Sequence, residues 1–327
     1  MCIPALRALR RRFPHSHIAL QARPWVAELY AREKYIDRVL VCPPARKGFR
    51  FLLDRWRAAR QLRRESFECA ILLPNSLESA LLVWLARIPR RIGYSRDGRG
   101  LLLTDRVAPP APGDIPRHER FYYLELLRRA GLMEDGQLRD EETRLEAAAQ
   151  ARQAGLERFQ AMGIRGPVVG VSPGAAYGGA KRWLPEYFAE AAAELAEGGT
   201  VAVFGSRSEA CIAEVVLSRL RAARVDARNF AGQTTLAEFI DLAAACRVFL
   251  TNDSGAMHVA AALGVPTVAV FGATDPEATG PVGPAVRVVR EPVECSPCLL
   301  RECPIDHRCM TRVLPARVAQ EARELLK

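Results

Sequence analysis

Apolar residues in this chain gather in short runs, separated by longer stretches in which they recur every three or four positions. The first pattern marks strands and the second marks amphipathic helices. In the first half, His17–Gln21, Arg38–Cys42 and Cys69–Leu73 are predicted strands, with helices at Pro4–Phe13, Pro24–Arg32, Phe51–Arg64 and Ser79–Ala86. A proline-rich stretch, Ala108–Pro116, reads as a surface loop. Helices at Glu119–Ala130 and Glu142–Met162 follow, the second marking a crossover between domains. From Pro167 the alternation restarts, with strands at Val168–Ser172, Thr200–Phe204, Val248–Thr251 and Val265–Phe271. Strand and helix alternating in two successive blocks predict two α/β domains in series, each a parallel sheet wrapped by helices.

The chain opens inside a helix, whereas a doubly wound domain ordinarily opens with a strand at the centre of its sheet. The first domain is therefore expected to lack its first strand in this chain, with the reading frame starting upstream of Met1. The longest apolar run, Val259–Phe271, is broken by Gly264 and Pro266, so no spanning helix is expected. The basic amino terminus has no continuous apolar core of the secretory type. Nine cysteines at irregular spacing in 327 residues suit a reducing compartment better than a disulfide framework, which places the protein in the cytoplasm.

Charge divides the chain unevenly. Residues 1–120 hold 24 Lys and Arg against 11 Asp and Glu, and the remainder holds 23 against 26. A basic first half attracts nucleic acid, an anionic membrane surface or a phosphorylated substrate alike, or is simply a solvated arginine-rich face.

Three strand-to-helix junctions carry candidate chemistry. GVSPGAAYGGAKRWLP, residues 170–185, joins a strand to a glycine-rich loop and to a helix opened by Pro185. It departs from the magnesium-nucleotide loop: Ala180 intrudes before Lys181, and Arg182 stands where Ser or Thr would hold the metal. What remains is backbone able to approach an anion, with Lys181 as a point charge, or else an ordinary chain reversal. NDSGAMH, residues 252–258, starts the helix Ala256–Leu263, where Asp253 or Ser254 serves as an N-cap or faces a ligand. GATDP, residues 272–276, follows the next strand. All three lie at carboxyl ends of parallel strands, where such sheets bind ligands. CSPCLLRECPIDHRC adds Cys295, Cys298, Cys303, His307 and Cys309, a spacing open to zinc or to thiols that pack a loop. No GxGxxG follows a strand, so a nicotinamide cofactor has no support.

Taken together, SPGAAYGGAKRWLPEYF, FGSRSE, NDSGAMHVAAALGVPTVAVFGATDP and CSPCLLRECPIDHRCM resemble the heptosyltransferases of glycosyltransferase family 9, in their type II branch, and ILLPNSLESALLVWLARIPRRIGY in the first half is similar as well. The resemblance implies a GT-B architecture: two Rossmann-like domains facing across a cleft, residues 1–163 binding the acceptor and 164–313 the ADP-sugar, with a helix at 314–327 packing back toward the first. It implies that Lys181 contacts the donor phosphates, Glu209 the ribose, and Gln233 and Thr234 the adenine, while Asp253, Ser254, Gly255 and His258 border the diphosphate and sugar. The implied reaction moves L-glycero-D-manno-heptose from ADP-heptose to the first heptose of the lipopolysaccharide inner core, with inversion and without metal or cofactor.

The implied partners are ADP-heptose, a lipid A–Kdo–heptose acceptor and the anionic inner membrane face, not nucleic acid; such an acceptor accounts for the basic first half. In the family a Gly-Asp loop directly before the stretch matching MCIPALRALRRRFP supplies the general base, and here the base is expected upstream of Met1. The alternatives are a non-catalytic ADP-sugar or nucleotide-binding protein without that base, and a sugar-nucleotide epimerase of the same architecture.

Overall fold

The computed structural model describes residues 1–44, 46, 48, 50–134 and 143–327. The chain divides into two compact units, Met1–Glu141 and Glu142–Lys327. The stretch Glu142–Met162, expected to mark the crossover, falls in the second unit, so the division precedes the boundary expected after residue 163.

The first unit runs α1 (Ile3–Arg12), β1 (Ala19–Ala22), α2 (Pro24–Ala27), β2 (Arg38–Val41), α3 (Arg50–Arg64), β3 (Cys69–Leu72), α4 (Leu77–Leu85), β4 (Arg90–Tyr94), β5 (Asp105–Val107) and α5 (Glu119–Arg129). Every strand pair is parallel: β1 joins β2, and β3, β4 and β5 form a separate sheet in that order. Among the described residues no strand joins the two sheets. Ala5, Ala8 and Leu9 of α1 pack with Ile92, Tyr94 and the apolar face of α5 in one core. Leu40, Ala59, Leu62, Ala80 and Leu82 form another under α3 and α4. The helix expected at Pro24–Arg32 is shorter, α2 passing into a 3-10 turn at Glu28–Tyr30.

The second unit runs α6 (Ala148–Ala161), β6 (Val168–Ser172), α7 (Pro185–Ala196), β7 (Thr200–Val203), α8 (Ala210–Ala222), β8 (Asp226–Asn229), α9 (Leu236–Ala244), β9 (Val248–Asn252), α10 (Gly255–Ala262), β10 (Thr267–Phe271), α11 (Pro276–Thr279), β11 (Val286–Arg290), α12 (Arg308–Thr311) and α13 (Pro315–Leu325). The helix expected from Glu142 begins only at Ala148: Glu142 lies outside the described residues, and residues 143–147 form no helix. Six parallel strands stand in the order β11-β10-β9-β6-β7-β8, the doubly wound Rossmann arrangement. Strands β6, β7, β9 and β10 are buried along their whole length, which explains their unbroken apolar character. Edge strands β8 and β11 alternate with charged residues and leave only a weak sequence signal. The last helix, α13, rests on α7, β10 and β11, with Val318, Ala319 and Ala322 in the core.

Helices α6 and α9 meet at Gly155. A Cβ there would overlap the Asp241 carbonyl oxygen and come within 2.8 Å of the Ala245 Cβ. Alanine is about 1 kcal/mol better than glycine inside a helix, but overpacking against backbone costs about 3 kcal/mol or more. Gly155→Ala is therefore expected to lower the melting temperature by about 4–8 °C, measured by thermal unfolding. An unchanged or higher value would mean the two helices can separate freely.

Candidate functional site

In the second unit β6 and β9 are neighbours whose following connections lead to opposite sides of the sheet, which makes their carboxyl ends the topological switch point. Two of the predicted loops leave from there. The loop after β6 carries Lys181 and the loop after β9 carries Asp253, 72 positions later; their side chains meet with Nζ 2.6 Å from Oδ2. Asp253 is buried, and the Thr274 hydroxyl, from the loop after β10, donates to the same carboxylate oxygen at 2.7 Å. All three glycine- or aspartate-bearing junctions thus converge on one ion pair.

Asn252 sets the distance between the first two loops. It is fully buried; its amide oxygen accepts from the Trp183 backbone N–H at 2.9 Å, and its amide nitrogen donates to the Pro173 carbonyl at 2.8 Å. Trp183 is itself fully enclosed, with its indole N–H on the Val313 carbonyl at 2.9 Å. Both ends of the glycine-rich loop are therefore held by one side chain from β9. Sequence reasoning assigned no role to Asn252, Trp183 or Thr274; the adjacency of Asn252 to Asp253 was the one available signal.

Ser254 occupies the N-cap position of α10, yet its hydroxyl makes no capping bond and pairs instead with the Thr251 hydroxyl at 3.2 Å. With Asp253 engaged elsewhere, no side chain among the described residues caps the first turn of α10, which starts at the exposed Gly255. Its N–H groups and the positive end of the helix dipole suit an anion. His258 lies half-buried one turn further along.

Glu209 stands after β7, at the start of α8. One carboxylate oxygen accepts from the Ser206 N–H at 2.7 Å and the Ser206 hydroxyl at 2.8 Å in a capping box. The other faces Gly174, where a Cβ would collide with the carboxylate. The glycine there permits close approach of loop and carboxylate, leaving an oxygen directed at the loop after β6. Gln233 and Thr234 follow β8; Gln233 is exposed and Thr234 half-buried, and the N-cap of α9 is Thr235. The loops after β7 and β8 are joined by the Gly232 N–H on the Gly205 carbonyl at 2.9 Å. Every predicted donor residue therefore lies at the carboxyl edge of one sheet. Lys181 and Asp253 are in direct contact, and Glu209, Gln233 and Thr234 occupy the neighbouring loops.

The cysteine segment braces this edge. The Ala180 N–H donates to the Arg301 carbonyl at 2.9 Å, the Gly179 N–H to Glu302 at 3.0 Å, and the Ser296 hydroxyl to the Gly272 carbonyl at 2.6 Å. Lys181 and Arg301 lie 4.8 and 5.4 Å from the centroid of the Tyr177 ring. Cys309 is buried, and that burial, with the nearby Cys295, Cys303 and Cys298 thiols adding, pushes its thiol up to about 11. A thiol held protonated at neutral pH packs as an apolar side chain. Among the described residues no three His, Cys, Asp or Glu side chains are grouped to hold a metal ion.

Residues 55–308 match the family described as glycosyltransferase family 9 (heptosyltransferase). The chain is 32% identical to lipooligosaccharide heptosyltransferase 2 of Haemophilus ducreyi, over 97% of this chain and 93% of that protein. Identity to lipopolysaccharide heptosyltransferase 2 of Escherichia coli is 33%, over 87% of this chain and 82% of that one. The solved structure of E. coli ADP-heptose lps heptosyltransferase II superposes with a TM-score of 0.81 at 30% identity, covering 99% of this chain and 94% of that one.

Proposed function

This chain belongs to glycosyltransferase family 9, the heptosyltransferases, and from that premise we propose that it transfers heptose from ADP-heptose to a heptose of the lipopolysaccharide inner core. It is a glycosyltransferase of GT-B type, and the observation that supports the donor assignment is the meeting of Lys181, Asp253 and Thr274 beside the uncapped start of α10. A diphosphate leaving group needs positive charge and N–H donors where its own charge grows, and both are present there. Lys181 contacts the phosphates and Asp253 keeps its ammonium in place. Glu209 presents its outward oxygen to the ribose hydroxyls, and Gln233 and Thr234 border the adenine. Ser254, Gly255 and His258 line the diphosphate and the sugar.

The donor sugar is L-glycero-D-manno-heptose and the acceptor the first heptose on lipid A–Kdo, with inversion at the anomeric carbon. The acceptor hydroxyl loses its proton to a base, which the family carries in a Gly-Asp loop of the acceptor-binding domain. Among the described residues no helix is long and apolar enough to cross a membrane. The reading carries with it a cytoplasmic location and peripheral contact with the anionic inner face, where the acceptor is embedded.

The test is ADP release from ADP-heptose by the purified chain, with and without a heptose-bearing lipid A–Kdo acceptor. Acceptor-dependent release is expected, and it should survive EDTA, because Lys181 and helix N–H groups stabilise the leaving diphosphate. Loss of transfer restored by magnesium alone would contradict that mechanism. Change of the donor sugar without acceptor would establish an epimerase, and tight ADP binding without turnover a binding protein.

A further inference from the structure

Helix α3 is amphipathic in a way that packing does not use up. Arg55, Ala59 and Leu62 face inward, and the buried Arg55 guanidinium donates to Glu78 at 2.8 Å and to the Pro43 carbonyl at 3.1 Å. Arg23 reaches the same Glu78 at 3.2 Å, so one ionic knot ties α3 to the segments beginning α2 and α4. Away from that inward stripe α3 is exposed, with Trp56 at 52% and Leu53 at 41%, and at its first turn Leu52 is exposed as well. Arg57, Arg60, Arg63 and Arg64 share that face, form no salt bridge among the described residues, and are opposed by a single acidic residue on the helix, Asp54, which pairs with Arg46. The Arg60 guanidinium lies 5.5 Å from the Trp56 ring centroid. The tied segments each expose a further apolar side chain, Trp25 at 63% and Leu77.

We propose that the exposed face of α3 is the surface by which this protein docks onto an anionic phospholipid bilayer. Trp and Leu side chains on a helix rich in arginine suit the headgroup boundary, where the apolar groups enter and the guanidinium groups remain among phosphates. Tryptophan is enriched at that depth because its ring is apolar and its N–H polar. Nucleic acid would satisfy the arginines but leave Leu52, Leu53 and Trp56 in water; a lipid surface accommodates both sets. The inference rests on the reading that the acceptor is lipid-anchored, and assigns the contact to one helix.

The experiment is co-sedimentation of the full chain with vesicles of phosphatidylcholine alone and of phosphatidylcholine with phosphatidylglycerol at about a 7:3 ratio, a fraction in the anionic range that attracts basic helices. Binding is expected only to the anionic vesicles, weakened by salt and accompanied by a blue shift of tryptophan fluorescence. Arg57→Gln, Arg60→Gln and Arg64→Gln should each weaken it roughly fivefold, and Leu53→Ser with Trp56→Ser should abolish the blue shift. ADP affinity, and transfer to a deacylated, water-soluble acceptor, should be unchanged in these variants. Variants that bind vesicles as the parent does would overturn the assignment to α3 while leaving membrane contact standing. Absence of any binding to anionic vesicles, or binding of short RNA instead, would overturn both. Failure of transfer with vesicle binding intact would refute only the heptosyltransferase reading.

Discussion

Replacing Lys181 with alanine is expected to weaken ADP binding roughly 10- to 150-fold, because a charge-assisted phosphate contact contributes about 1.5–3 kcal/mol. A second effect follows from where its partner sits. Asp253 is only 6% exposed and would keep the Thr274 hydroxyl as its one described side-chain donor. Leaving a buried carboxylate without its cation costs about 3 kcal/mol, so the same substitution should lower the melting temperature as well. The two effects can be separated. Adding Asp253→Asn to Lys181→Ala removes the stranded charge and should recover much of the stability, while ADP affinity measured by calorimetry stays low. Recovery of both together would mean that Lys181 acts only on the fold, and an unaltered ADP affinity in the single variant would remove it from the donor site.

Asn252→Ala should be at least as damaging, although its side chain contacts no ligand in the reading above. It would leave the buried Trp183 N–H and Pro173 carbonyl unpaired, and each orphaned group costs about 1–3 kcal/mol. The expected loss is about 2–5 kcal/mol of stability from the two groups together. The glycine-rich loop would no longer be held at both ends, so Lys181 should lose its position and ADP affinity should fall with stability. Asn252→Asp gives a contrasting result: it can still accept from Trp183 but cannot donate to Pro173, and it buries a charge. It should unfold at a lower temperature than the parent, most markedly at neutral and higher pH, where an aspartate at this fully buried position must carry its charge or be protonated at a cost. A wild-type melting curve and ADP affinity for Asn252→Ala would show that the loop is held by other contacts.

Lys181, Asp253, Ser254, Gly255 and His258 were legible because the loops that carry them follow strands whose apolar runs stand out. Strands β6, β7, β9 and β10 are central and buried on both faces, so their composition announces them and the loops that follow. Glu209 and the pair Gln233 and Thr234 were reached differently, through resemblance, since Arg207–Glu209 is a short turn and β8 is a half-exposed edge with little pattern. Strands β4 and β5 of the first unit escaped notice for a related reason: RRIGY and DRV are short and arginine-bearing, and their strand character comes from pairing with β3 and with each other. The cysteine segment was open to two readings because spacing alone does not say whether four thiols point together.

By itself the sequence determined two α/β blocks, which loops leave the carboxyl ends of the second block's central strands, and the family to which their residues belong. Those are consequences of hydrophobic period and of local turn chemistry, which act over a few residues. Tertiary structure alone decided that Lys181 and Asp253 touch, that Asn252 clamps the loop between them, and that segment 295–309 braces it. It also decided which side of α3 is left to solvent. The contact of Lys181 with Asp253 and the clamp by Asn252 depend on strand order, β6 lying beside β9 although β7 and β8 separate them in the chain. Contacts made across such a crossover are set by the packing of the whole sheet, and no local pattern records them.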